Sequence, residues 1–66
     1  MKFVKVFEIK PNGEYGDKMF VNVDNVSTIE HRSEYFRYLV RMTNNTEFEI
    51  DGEDVDKIIG GKFDND

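Results

Sequence analysis

The chain has 66 residues, 38% of them apolar, with no Cys and no Trp, and its 14 acids against nine bases leave a net charge of −5. A domain this short buries only about 60% of its unfolded surface, so a second domain, a deep active-site cleft or a large internal cofactor is not expected. The lack of Cys excludes disulfides, thiolate chemistry and Cys-based metal sites, no apolar run approaches the ~20 residues that cross a bilayer, and the charged start Met1-Lys2-Phe3-Val4-Lys5 does not read as a signal peptide, so a cytosolic protein is the expectation.

Val, Ile, Phe, Tyr and Thr dominate the apolar positions and Ala is missing, a composition that favours strands. The first strand is expected over 2–10. Phe3, Phe7 and Ile9 fall on one face and Val4 and Val6 on the other, so a central strand or one covered on both faces is expected. Pro11-Asn12-Gly13 ends the strand, because Pro cannot donate to a ladder and Asn-Gly tolerates positive φ. The loop is expected to run to Asp17, with Gly16 as a second flexible point. A second strand follows over 18–22, with Met19 and Val21 opposite Phe20. Val23-Asp24-Asn25 reads as a tight turn or one turn of 3₁₀ helix.

A third strand is expected over 26–31 and a turn over 32–34. The fourth, over 35–42, alternates clearly: Phe36, Tyr38, Val40 and Met42 form the core set, and Tyr35, Arg37, Leu39 and Arg41 the outer set. Asn44-Asn45 is a hairpin signal that suits the two positive-φ positions of a type I′ turn. The fifth strand, over 47–50, points Phe48 and Ile50 inward. Asp51 is placed to cap a helix whose first turn carries Glu53 and Asp54, favoured by the helix dipole. Val55, Ile58 and Ile59 make its apolar stripe. Gly60-Gly61 predicts a left-handed stop, with Phe63 folded back over the last turn and 64–66 as a frayed acidic tail. The fold class is α+β: one domain over 1–63, a small antiparallel sheet of four to five strands packed against one short C-terminal helix. Phe36 and Ile58 are expected in its core.

No motif carries chemistry. Ser27 and His31 share a strand face, but four residues at ~3.3 Å each hold them about 13 Å apart, and Ser33 has no orienting carboxylate or oxyanion hole beside it. A thin two-layer domain has little volume for the desolvated pocket that a general acid needs. Residues 51–62 fail as an EF-hand loop, since Val55, Asp56 and Lys62 stand where a ligand, the Gly and the bidentate Glu belong. Gly60-Gly61-Lys62 follows a helix rather than opening one, the wrong polarity for a phosphate site. No catalytic residue, metal ligand or cofactor is assigned.

Charge and aromatic content point to recognition instead. Residues 43–66 hold eight acids against two Lys, while 1–42 are nearly balanced. The acidic end argues against non-specific binding to phosphate backbones and suits solubility or a basic partner. Tyr35, Arg37, Leu39 and Arg41 are the candidate partner-binding residues, because Arg and aromatic side chains are enriched at protein interfaces. Aromatic and basic residues on a sheet also hold single-stranded nucleic acid, which makes that a weaker alternative. Cross-strand pairing of Tyr35 and Arg37 with Glu47 and Glu49 is the plain structural alternative. So small a core leaves a homo-oligomer with a ligand site at its interface as a third reading. No membrane association is expected.

Residues 22–30 (Asn-Val-Asp-Asn-Val-Ser-Thr-Ile-Glu), 40–45 (Val-Arg-Met-Thr-Asn-Asn) and Phe48-Glu49-Ile50 through Glu53-Asp54-Val55 follow one order: strand, turn, strand, hairpin, short acidic helix. In this the chain from residue 19 to 58 resembles the small FlbD-like family first noted in flagellar operons, and short phage-borne proteins of similar build. That family shows Asn-Pro-Asp and Asn-Gly where this chain has Asn22-Val23-Asp24 and Asn44-Asn45. The resemblance implies a non-enzymatic accessory or regulatory protein, while the Tyr35, Arg37, Leu39 and Arg41 stripe with the acidic C-terminal third gives the expectation of a binding module that regulates or inhibits a protein partner. It transfers no catalytic residue.

Overall fold

The computed structural model describes residues 2–32 and 37–62. In chain order these form β1 (Phe3–Ile9), β2 (Tyr15–Asn22), a 3₁₀ turn (Val23–Asn25), β3 (Val26–His31), β4 (Arg37–Met42), β5 (Glu47–Asp51) and α1 (Gly52–Lys62). The class is α+β, with five antiparallel strands and one helix. The strands divide into two sheets, β1-β2 and β3-β4-β5, rather than one. β1 lies against β5 with no ladder between them. The expected Phe36, the turn at 33–34 and the fold-back of Phe63 lie outside the described residues.

The β1–β2 and β4–β5 turns are built alike. Lys10 N–H donates to the Glu14 carbonyl and Gly13 N–H to the Lys10 carbonyl, both at 2.8 Å; Met42 N–H donates to the Thr46 carbonyl and Asn45 N–H to the Met42 carbonyl, both at 2.9 Å. Gly13 (φ 90°) and Asn45 (φ 71°) take the left-handed position. Asn12 Oδ1 and Asn44 Oδ1 accept from the main-chain N–H two residues on, at 3.0 and 3.1 Å. Each is a three-residue loop ending in one left-handed residue. The expected type I′ turn at Asn44-Asn45 is therefore not formed, since Asn45 alone of the pair has positive φ. The first loop also closes at Glu14 instead of Asp17, because Pro11-Asn12-Gly13 completes the reversal, and β2 starts three residues earlier than expected.

Val6, Val21, Val23, Val26, Val40, Ile50, Val55 and Ile58 form the buried cluster, with Val4, Met19, Ile29, Tyr38, Met42 and Phe48 packed against it. The β4 core set is as expected for its described members. β3 reaches this core by a bulge. Val26 lies opposite Met42 and Ile29 opposite Val40, so Ser27 is an extra residue that brings both apolar side chains to one face. β1 departs from the expectation. Val4 and Val6 face the core, but Phe3 and Phe7 are 55% and 38% exposed. Ile9, beyond a register shift after Phe7, is buried. One face of β1, not both, is covered.

Asp51 caps α1 as expected: its Oδ1 accepts the Asp54 N–H at 2.9 Å. The helix does not stop at Gly60-Gly61 but runs through both to Lys62. A Cβ on Gly61 would sit 3.3 Å from Lys2 Cδ and Val23 Cγ1 and 3.5 Å from Val4 Cγ1. Gly61 thus serves close approach to β1 and the 3₁₀ turn rather than a left-handed cap. The buried stripe is Val55 and Ile58 with Gly61 at the next turn, and Ile59 is turned out, 43% exposed. The helix lies along the edge of β1 that faces away from β2. Asp54 Oδ2 accepts the Phe7 N–H at 2.9 Å, and Lys57 Nζ donates to the Lys5 carbonyl at 3.3 Å. Side chains of α1 thereby occupy main-chain groups that a further strand would have taken.

Candidate interaction surface

Arg37, Leu39 and Arg41 alternate along β4, the central strand of its sheet, on the face away from the buried Val40. Tyr35, the fourth expected member, lies outside the described residues. Register sets Leu39 between Glu30 on β3 and Glu49 on β5, and Arg41 opposite Glu47. Arg41 is gripped by one carboxylate oxygen: its Nε and Nη2 lie 2.8 and 2.6 Å from Glu47 Oε2. This hydrogen bond, then the Glu47 charge and more weakly that of Glu30, raise the guanidinium's pKa. Arg37 reaches diagonally to Glu49 at 3.4 Å, and Arg32 approaches the same carboxylate at 3.9 Å.

Arg37 does a second job. Its Nη2 donates to the Lys10 carbonyl at 3.0 Å, latching the β1–β2 turn onto β4 across 27 residues of chain. The arginines of this face are therefore engaged within the chain, and acids bracket Leu39 on both sides. Phosphate groups would meet Glu30, Glu47 and Glu49 here along with the guanidiniums, a poor electrostatic footing for nucleic acid.

The latch creates a shallow depression of about 390 Å³ between the two sheets. Ile9, Pro11, Leu39 and Phe48 contribute its apolar lining, and Glu8, Arg37, Glu47 and Glu49 its polar lining. Of the expected residues it joins Arg37 and Leu39; Arg41 does not line it. Ile9, Pro11 and Phe48 were not expected here, and nothing local in the sequence signals that the first turn folds over the fourth strand.

A second shallow cleft, about 360 Å³, is lined by Tyr15, Asp51, Gly52 and Glu53. The Tyr15 hydroxyl donates to Asp51 Oδ2 at 2.8 Å, which together with the Asp51 charge raises the phenol's pKa and holds it protonated. Asp54 is the one buried charged side chain among the described residues, and it is occupied by the Phe7 N–H and by Lys57 Nζ at 3.1 Å. His31 is exposed and lies against the ring of Tyr38 directly across the ladder, 4.8 Å between centroids.

A different apolar surface escaped the sequence reading. Phe3, Lys5 and Phe7 on β1 lie opposite Asn22, Phe20 and Lys18 on β2. Directly opposite residues share a face, so three exposed Phe rings and two Lys stand together on the side away from the core. Phe20 is the most exposed, at 64%, with Lys18 Nζ 5.9 Å from its ring centroid. A usable signal existed: the set Phe3-Lys5-Phe7 contains a Lys, and Val4-Val6 does not.

No helix among the described residues is long and apolar enough to cross a membrane. Comparison with protein families, characterised proteins and solved structures finds nothing that matches this chain.

Proposed function

We propose that the chain is a non-enzymatic binding module that regulates or inhibits a protein partner. The depression at the β4–β5 face carries this reading. Its apolar lining (Ile9, Pro11, Leu39, Phe48) lies among ionic side chains (Glu8, Arg37, Glu47, Glu49), of which Arg37 is paired with Glu49 and Glu47 with Arg41. An apolar centre within a polar rim is the anatomy of a protein interface. The FlbD-like order of elements agrees with an accessory role, and the exposed acids Glu53 and Asp56 on α1 suit a basic partner. In the sharper form of the proposal those acids occupy a basic cleft of the partner, and binding then weakens steeply with salt.

Leu39→Asp is the first probe: Leu39 is half-buried and makes no polar contact that the substitution would break, and because the new carboxylate lies between Glu30 and Glu49 the variant's folding is checked alongside binding. Arg37→Glu is less clean, since it also releases the Lys10 latch. Affinity capture with wild-type protein should retain a partner that a folded Leu39→Asp variant loses. Equal retention by both removes this face from the proposal.

A further inference from the structure

The two edges of the β1–β2 ribbon are treated differently. Phe7 N–H goes to Asp54 and the Lys5 carbonyl to Lys57, so Lys5 and Phe7 turn their main-chain groups away from β2. In an antiparallel ladder the residues opposite such positions turn outward as well. These are Phe20, opposite Lys5, and Lys18, opposite Phe7. Their N–H and C=O groups therefore point to the other edge of β2, with which no strand pairs among the described residues. One edge of the ribbon is closed by helix side chains and the other presents hydrogen-bonding groups, beside the most exposed aromatic ring among the described residues.

We infer that this edge is an interface with a second copy of the chain. Two β2 strands pair antiparallel about a two-fold axis at Phe20, giving a four-stranded sheet in the order β1-β2-β2-β1. An axis perpendicular to the sheet keeps each residue on its own face, so the register is limited to a few choices. An axis at Lys18 sets two ammonium groups opposite each other, which is unfavourable. An axis at Met19 sets Asp17 against the buried Val21 of the partner subunit. An axis at Phe20 pairs the two Phe20 rings, sets Lys18 opposite Asn22 of the partner subunit with the partner's Asp24 next along the chain, and sets Val21 opposite the partner's Met19.

Within β2 that register matches Phe20 with Phe20 and Val21 with Met19 and places no like charges together; Asp17 falls opposite the partner's Val23, beyond the end of the strand. It also suits a chain of net charge −5, because Phe3, Lys5, Phe7, Lys18, Phe20 and Asn22 include no acid. Growth stops at two copies, since the far edge of each ribbon is held by its own Asp54 and Lys57. The interface is isologous and closed. This inference does not depend on the partner proposed above.

The test is sedimentation equilibrium of the whole chain, with amide exchange read residue by residue. Between about 20 µM and about 1 mM the mass should rise from 7.8 kDa towards twice that value. The Lys18 and Phe20 amides should slow with concentration, by about tenfold or more, while Met19 and Val21, already bonded within the ribbon, should not change. Phe20→Lys places two charges on the axis and should weaken association at least about tenfold while leaving the fold intact, since residue 20 is exposed. A chain that stays monomeric at about 1 mM overturns the inference. So does a dimer that Phe20→Lys leaves unchanged, or one that forms with no change at the Lys18 and Phe20 amides. A monomer that instead shifts a single-stranded oligonucleotide through this face overturns it equally.

Discussion

The carboxylate of Asp54 accepts the main-chain N–H of Phe7 at 2.9 Å, across 47 residues of chain. Asp54 is only 4% exposed, and no other charged side chain among the described residues is buried. Its own N–H is capped by Asp51, whose second oxygen holds the Tyr15 hydroxyl. The first turn of the helix, the edge of β1 and the start of β2 are thus tied through two acids that a sequence reader assigns to a solvated helix end.

Asp54→Ala strips the acceptor from the Phe7 N–H and leaves Lys57 without its partner in the helix. Loss of a buried hydrogen-bond partner costs about 1–3 kcal/mol, a large fraction of the stability of so small a domain. Urea unfolding should show a lower midpoint by that amount, and the Phe7 amide should exchange faster. An unchanged midpoint would mean that water replaces the carboxylate without loss.

Tyr15 sets an alkaline limit. Its folded-state pKa is raised above the ordinary value by the hydrogen bond to Asp51, then by the Asp51 charge. A group whose pKa is higher in the folded state contributes stability below its unfolded pKa and loses it as pH climbs through the folded one. The contact is therefore present at neutral pH and disappears above about pH 10. Stability should fall across that range in wild type and fall less in Tyr15→Phe. In a spectrophotometric titration the difference between wild type and Tyr15→Phe isolates the Tyr15 phenol, which should ionise above the ordinary phenol pKa. A difference signal centred on the ordinary phenol pKa would contradict the contact.

The two turns predict opposite effects of their left-handed residues. Gly13→Ala forces a Cβ into φ 90° and within 3.3 Å of Arg37 Nη2, at a cost of about 1–2 kcal/mol. Asn45→Gly relieves φ 71° and should stabilise by roughly 0.5 kcal/mol. Thermal melts of both variants check the pair. If Asn45→Gly destabilises, the Asn45 side chain has a role beyond its backbone conformation.

Gly60 and Gly61 separate two accounts of the helix end. A left-handed cap would make Ala costly at a capping position. In a continuous helix Gly60→Ala, with nothing within 4 Å of the new Cβ, should stabilise by roughly 0.5–1 kcal/mol. Gly61→Ala should gain less or lose, because the same methyl group meets Lys2, Val4 and Val23. Chemical denaturation of the two variants reads the difference directly.

Ile58 fixes the helix to the sheets. It is fully buried in a cluster built wholly from Val and Ile. Ile58→Ala should cost about 2–5 kcal/mol, whereas Ile59→Ala should cost well under half as much, since Ile59 is turned outward. Equal losses in urea midpoints would restore the broader stripe that the sequence suggests.

Much of the fold was legible in local signals. Alternation in 38–42 identified the core face of β4 because its other face carries guanidiniums. Asp51 followed by Glu53 and Asp54 marked the helix start, since a carboxylate suits its unpaired N–H groups. Pro11-Asn12-Gly13 and Asn44-Asn45 marked the reversals through their backbone preferences. These are all properties of a residue and its near neighbours, and they survive whatever the rest of the chain does.

What those signals could not carry was which surfaces meet. β1 is apolar on both sides, with Lys5 alone hinting that the Phe3-Phe7 side faces out, and the packing of β3–β5 and the helix decided that Val4 and Val6 form its core face. Division into two sheets depended on α1 taking the free edge of β1 through Asp54 and Lys57. The joining of Arg37 and Leu39 in one depression depended on the first turn folding onto β4. Gly61 was chosen for closeness rather than for chain reversal, and only its neighbours at Lys2, Val4 and Val23 reveal that. Each of these rests on contacts between distant parts of the chain, whose free energy comes from burial and pairing once those parts are assembled, and no stretch of neighbouring residues encodes it.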